Sequence, residues 1–184
     1  MGDRHNPQRY GETWPQARVD LCLDELEALR DHVVVSGGRA WHFMSPPGHL
    51  ELKHAHDHKD IDLFVAPEDV ATVVGVLKAR GFAKVWTRYD KLPSDEDFRR
   101  YEKTVTAAEA AVRITIDFFV RAKVPARELH GYRVVEPSYL LGLYSNIHSS
   151  DKCFAVQAAV KLLATGIDPV GRPELVAIPA QTRS

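Results

Sequence analysis

Two short stretches constrain this chain more than its composition does: "DIDLFV", Asp60 to Val65, and "RITIDFFV", Arg113 to Val120. Each alternates and is rich in β-branched and aromatic residues, so each reads as a strand. Successive side chains of a strand point to opposite faces. In the first stretch Asp60 and Asp62 therefore share one face, while Ile61, Leu63 and Val65 take the other. In the second, Ile114, Ile116 and Phe118 share a face, and Thr115, Asp117 and Phe119 share the opposite one. Asp117 is thus an isolated acid inside a strongly apolar strand. Burying a lone carboxylate is unfavourable, and the penalty falls if Asp117 joins Asp60 and Asp62 around a divalent cation. Three carboxylates from neighbouring strands form a hard, all-oxygen donor set suited to magnesium or manganese, which keep waters and bind substrate phosphates. That is a phosphoryl- or nucleotidyl-transfer site in outline. Taken singly, each acid has an ordinary reading: Asp60 as the end of a loop, Asp62 as the partner of Lys59 or Arg113, and Asp117 as a cap or ion-pair member.

The segment "VVVSGGRAWHFM" supplies a second half. Val33 to Val35 read as a short buried strand that stops at a Ser-Gly-Gly turn, and a helix follows until Pro46 and Pro47. Gly37 and Gly38 let the backbone approach a phosphate closely, Ser36 adds a hydroxyl, and the helix presents free amides and its positive end. The turn is neither GxGxxG nor a Walker loop, and alone it is only a tight turn. Its weight comes from standing upstream of the acidic strand. Arg39 reads as an exposed helix arginine that can reach phosphate, Trp41 as core, and His42 as either core or site.

Elsewhere, Val19, Leu23, Leu26 and Leu29 mark an amphipathic helix. "PEDVATVVGVLKARG" is a helix with Pro67 in its first turn and Gly81 as its stop. "FAKVWTR" and "YRVVE" read as strands, and "PSYLLGLYSNIH" and "DKCFAVQAAVKLLATG" as helices. "YDKLPSDEDFRRYEK" reads as a solvated loop or short helix because of its charge. The order calls for a mixed sheet flanked by helices. We expect a core over residues 1–130 and a C-terminal helical extension with a Pro-rich tail over 131–184.

At 184 residues, 45% apolar and 27% charged, the chain is long and apolar enough for a globular domain with its own core. A formal net charge of -1 gives no chain-wide attraction to phosphate polymers or anionic membranes. Cys22 and Cys153, without CxxC spacing, suggest neither a disulfide framework nor a cysteine zinc site, and fit a reducing, cytoplasmic setting. No apolar run approaches membrane-spanning length.

The combination "VVVSGG", "DIDLFV" and "ITIDFFV" resembles the DNA polymerase β-like nucleotidyltransferase superfamily. Its signature is a hydrophobic strand, Gly-Gly or Gly-Ser, a helix, Asp-x-Asp on the next strand and a third acid on a later one. "HKDIDLFV", followed by a helix and a "RGF" strand entry, looks most like the small aminoglycoside and lincosamide nucleotidyltransferases. The match covers about Val33 to Val120. One departure is the long gap between Gly38 and Asp60, filled by "SPPGHLELKHAHDHK". The resemblance implies a nucleotidyltransferase fold, α/β (α+β), and magnesium- or manganese-dependent transfer of a nucleoside monophosphate from a nucleoside triphosphate, first of all ATP, to an acceptor hydroxyl. Asp60 and Asp62 would bind both metal ions; Asp117 would bind the catalytic one and help deprotonate the acceptor. Ser36, Gly37 and Gly38 would hold the β and γ phosphates, with Lys152, which opens a late helix, as a further phosphate ligand. The acceptor is a small molecule, a protein side chain or an RNA end.

"HAHDH" invites a zinc reading at His54, His56 and His58, since imidazoles are good zinc ligands. Against the HxHxDH pattern of metallo-hydrolases it is one residue short. Two alternatives to the transferase remain: a catalytically degenerate module that binds nucleotide or metal without turnover, and a hydrolase centred on the histidines.

Overall fold

The apolar alternation of the two acid-bearing segments is realised as a pair of parallel neighbouring strands at the centre of a mixed sheet. The structure is a computed structural model and describes residues 16–46, 60–91, 98–107, 110–146 and 150–167. In chain order these form α1 (Gln16–Glu27), β1 (Val33–Val35), α2 (Gly37–Met44), β2 (Ile61–Val65), α3 (Val70–Ala79), β3 (Ala83–Val85), β4 (Phe98–Ala107), β5 (Ala110–Val120), β6 (Ala126–Leu129), β7 (Tyr132–Val135), α4 (Pro137–Ser145) and α5 (Ser150–Thr165). A single 3-10 turn leads into β1, and another, Pro67–Asp69, into α3, where Pro67 takes the helix-initiating place its fixed φ favours.

The seven strands run in the order β3-β4-β5-β2-β1-β7-β6. β2 pairs with β5 and β1 with β7 in parallel; the other neighbours are antiparallel. The β2–β5 register sets Ile61 opposite Ile116, Asp62 opposite Asp117 and Leu63 opposite Phe118. Ile61, Leu63, Val65, Ile114, Ile116 and Phe118 are all buried, as the alternation requires. β7 lies between β1 and β6, so the sheet runs on to Val135, and residue 130 falls in the tight turn joining β6 to β7.

Two segments differ from their sequence readings. The charged stretch after Tyr89 is not all loop or short helix: after a 3-10 turn, Arg88–Lys91, the chain enters the ten-residue strand β4 at Phe98. Its ladder with β5 fixes it there, and the charges that hid its alternation stand on both faces of a half-open strand. β6 was also unmarked in the sequence; its four residues are held by pairing with β7.

One ion cluster shows which helices cover which face. Arg80 Nε donates to Glu25 Oε2 at 2.6 Å, and Lys103 donates to the other oxygen of the same carboxylate. This ties α1, the end of α3 and one face of β4 together. Tyr101, two residues from Lys103 and on its face, stacks on Phe118 with ring centroids 5.9 Å apart. The helices α1 and α3 therefore cover the Ile61–Phe118 face. Tyr139 of α4 packs its ring against Phe64, which points with Asp62, so α4 lies on the acid side. No helix among the described residues is long and apolar enough to cross a membrane.

Candidate active site

Register brings the two acidic strands together. Asp62 stands directly across the parallel pair from Asp117, and Asp60 precedes it on the same side. Each of the three offers a carboxylate oxygen, and these atoms all lie within 4.8 Å of one another. Asp60 and Asp62 are half-buried, whereas Asp117 is buried, at 4% exposure.

The glycine turn reaches the same place. Ser36 follows β1 directly, and its backbone amide donates to the Asp62 carbonyl at 2.9 Å. Gly37 then adopts φ +58, a left-handed conformation that disfavours any side chain, and a Cβ there would lie 2.8 Å from Asp62 Cβ and overlap Asp62 Oδ2. The turn is thus seated against the acid, and only glycine fits. Ser36 takes the N-cap place of α2, yet its hydroxyl makes no capping bond to that helix. Gly38 is buried in the first turn of α2.

A fourth residue completes the cluster, and it lies in the segment read as loop. Arg100 of β4 faces Asp117 across the antiparallel β4–β5 pair. Its Nε donates to Asp117 Oδ1 at 2.7 Å and a terminal nitrogen to Oδ2 at 2.5 Å, a two-pronged guanidinium–carboxylate pair. The same terminal nitrogen lies 3.7 Å from Asp60 Oδ2. In "FRRYEK" the apolar Phe98 and Tyr101 lie three residues apart and both faces carry charges, so no local alternation marked the strand or Arg100.

Burial pushes the Asp117 carboxyl above its ordinary range; the Arg100 hydrogen bonds work against this, and the nearby Asp60 charge adds to it. The hydrogen bond to Asp117 in turn holds Arg100 above its ordinary range. One guanidinium therefore does not compensate burial and neighbouring carboxylates together. Three carboxylates converging on one point, still short of positive charge with Arg100 in place, fit a hard divalent cation such as magnesium or manganese.

The remaining expected residues divide. Trp41 is fully buried and meets Tyr144 edge-on, as a core residue does. Arg39, read as an exposed helix arginine, is instead buried at 2% exposure, because the first turn of α2 lies under its neighbours rather than on the surface. His42 is half-buried. Lys152 stands in the first turn of α5, and its side chain lies outside the described residues. His54, His56 and His58 also lie outside them.

No protein-family model matches the chain, and no curated protein matches it. Among solved structures, the fold is similar to that of JHP933 from Helicobacter pylori, with a TM-score of 0.56 at 12% sequence identity over 82% of this chain and 68% of that one. ANT(2")-Ia in complex with adenylyl-2"-tobramycin also matches, with a TM-score of 0.48 at 14% identity over 79% of this chain and 89% of that one. A GTP pyrophosphokinase family protein from Streptococcus pneumoniae does so with a TM-score of 0.32 at 18% identity, over 82% and 84% of the two chains. At such identities the likeness to JHP933 is one of fold. The chain is an α+β protein with the order strand, Gly-Gly helix, Asp-x-Asp strand and third acidic strand, in one mixed sheet flanked by helices.

Proposed function

We propose that the protein is a metal-dependent nucleotidyltransferase that moves a nucleoside monophosphate from a nucleoside triphosphate, first of all ATP, to an acceptor hydroxyl. The observation that carries this reading is the convergence of Asp60, Asp62 and Asp117 beside the left-handed Gly37 turn. An acidic cluster alone is common. An acidic cluster with a backbone turn pressed against one of its members, at the start of a helix, has the two parts that triphosphate chemistry requires.

In this reading the amides of Gly37 and Gly38 and the hydroxyl of Ser36 hold the β and γ phosphates, and Lys152 adds a positive charge from the start of α5. Asp60 and Asp62 hold magnesium or manganese, with Asp117 beside them. Bound there, the metal supplies charge stabilisation at the oxygens of the in-line displacement. The acceptor oxygen forms its bond to the α-phosphorus as the bond to the bridging oxygen breaks, and pyrophosphate leaves. The acceptor proton passes to Asp117, whose raised basicity suits a general base. Arg100 uses one lone pair on each Asp117 oxygen; a carboxylate has about four such sites, so about two remain, enough for the proton. The acceptor class is a small molecule, a protein side chain or an RNA end, acting in the cytoplasm.

The test is incubation with labelled nucleoside triphosphates, magnesium and an acceptor panel, for wild type, Asp62→Ala and His56→Ala. Pyrophosphate release that disappears only in the aspartate variant is expected. Nucleotide binding without turnover would instead indicate a binding module, and zinc-dependent hydrolysis lost with His56 would overturn the reading.

A further inference from the structure

A phosphoryl-transfer centre with two ions places them about 3.5–4 Å apart, bridged by shared carboxylates. In this chain the third carboxylate already has a cation on it. Both oxygens of Asp117 accept from Arg100, at 2.7 and 2.5 Å, and the bridging contact to Asp60, at 3.7 Å, comes from the same guanidinium. An ion bridging Asp117 Oδ2 and Asp60 Oδ2 would compete with this terminal nitrogen.

Arg100 is not a surface side chain that has drifted in. Its Cα is fixed opposite Asp117 within a run of ten paired residues between β4 and β5. Asp117 is buried at 4% exposure, so removing the guanidinium would leave a buried carboxylate without its counter-charge, a costly state. The fork is planar and carries its charge at any physiological pH, so it is a permanent occupant where a hydrated ion is an exchangeable one. Charge points the same way. Three carboxylates and one guanidinium leave two net negative charges, which one divalent ion neutralises.

We propose that Arg100 stands in for one of the two cations: the chain binds a single divalent ion, on Asp60 and Asp62, while the guanidinium remains on Asp117. The inference rests on the nucleotidyltransferase reading for the two cation roles, but its prediction concerns ion binding and not turnover. Arg100 is then a positioning residue that keeps Asp117 oriented toward the acceptor side without a metal bond.

The test counts Mn2+ bound per chain, by electron paramagnetic resonance of free Mn2+ and by calorimetry, without nucleotide. Wild type and Arg100→Lys, which keeps the charge, are expected to bind one equivalent, and Arg100→Met to gain a second that depends on Asp117. Two equivalents in wild type, or one in a folded Arg100→Met, would overturn the proposal. The wild-type count decides even where Arg100→Met does not fold. Two ions bound with pyrophosphate release intact would sink this inference and leave the transferase reading standing. One ion bound, Arg100→Met gaining a second, and no pyrophosphate release from any triphosphate would do the reverse.

Discussion

Arg100 and Lys103 stand on the same strand and point to opposite faces of the sheet, each toward a buried acid. The cluster around Glu25 has one carboxylate and two cations, Arg80 and Lys103. Burial alone would push the Glu25 carboxyl up, but the hydrogen bonds from Arg80 and Lys103 outweigh it and hold the group below its ordinary range. Across the sheet, three carboxylates share one guanidinium, and the Asp117 carboxyl is pushed up. Both clusters are buried ion groups on the two faces of one sheet, so burial does not separate structure from function. The balance of charge does. A cluster that only joins elements is neutralised by its own side chains; one that leaves negative charge over suits a cation from solution.

The comparison breaks first where activity and stability should part. Asp62→Ala is expected to cut pyrophosphate release by at least about 10³-fold, the scale on which single electrostatic groups at a reacting centre act. Its urea midpoint without metal should equal or exceed that of wild type, because a like charge has been removed from beside Asp60 and Asp117. A large loss of stability there would mean that the acids are structural. Glu25→Ala should do the reverse and cost about 3 kcal/mol in denaturant unfolding, the low end for breaking a buried pair because Arg80 is 37% exposed. The folded fraction should keep its rate.

Ion binding sharpens the contrast next. Mn2+ at about 100 times its dissociation constant should stabilise the folded state by about 2.7 kcal/mol. Wild type and Glu25→Gln should gain equally in thermal unfolding with and without Mn2+, and Asp62→Ala should not. An equal gain in Asp62→Ala would place the ion elsewhere.

The smallest effect is on acid stability. Glu25, with its folded pKa lowered, contributes stability that is full above the ordinary carboxylate range and is lost as pH falls through the lowered value. Asp117 has the opposite sign: its raised folded pKa means that the folded state takes up its proton first, so falling pH relieves a penalty. Urea midpoints between about pH 6 and 3 should therefore show a shallower acid decline in Glu25→Gln and a steeper one in Asp117→Asn, each against wild type. Shifts of the same sign in both variants would contradict the assigned directions.

Much of the site was legible because it lies in local pattern. Asp60, Asp62 and Asp117 could be assigned to faces from alternation alone, and the turn after Val35 could be read from its glycines, of which Gly37 has φ +58 and lies against Asp62. Arg100 was not legible. The charges of "FRRYEK" masked a strand whose existence depends on β5, a partner that propensity does not consult. Arg39 failed for a related reason: a charged residue in the first turn of a short helix reads as exposed, and only the packing around α2 buries it.

By itself, the sequence determined which side chains share a face, where the chain must turn at glycine, and that three acids would need company. These follow from steric rules acting over a few residues. The tertiary structure decided which strands are neighbours and in what register, and hence that Asp62 lies across from Asp117, that Gly37 presses on Asp62, and that a cation of the protein's own reaches the third acid. Register between distant strands is set by how the whole apolar face packs, and a shift of one residue would have turned every one of these groups away.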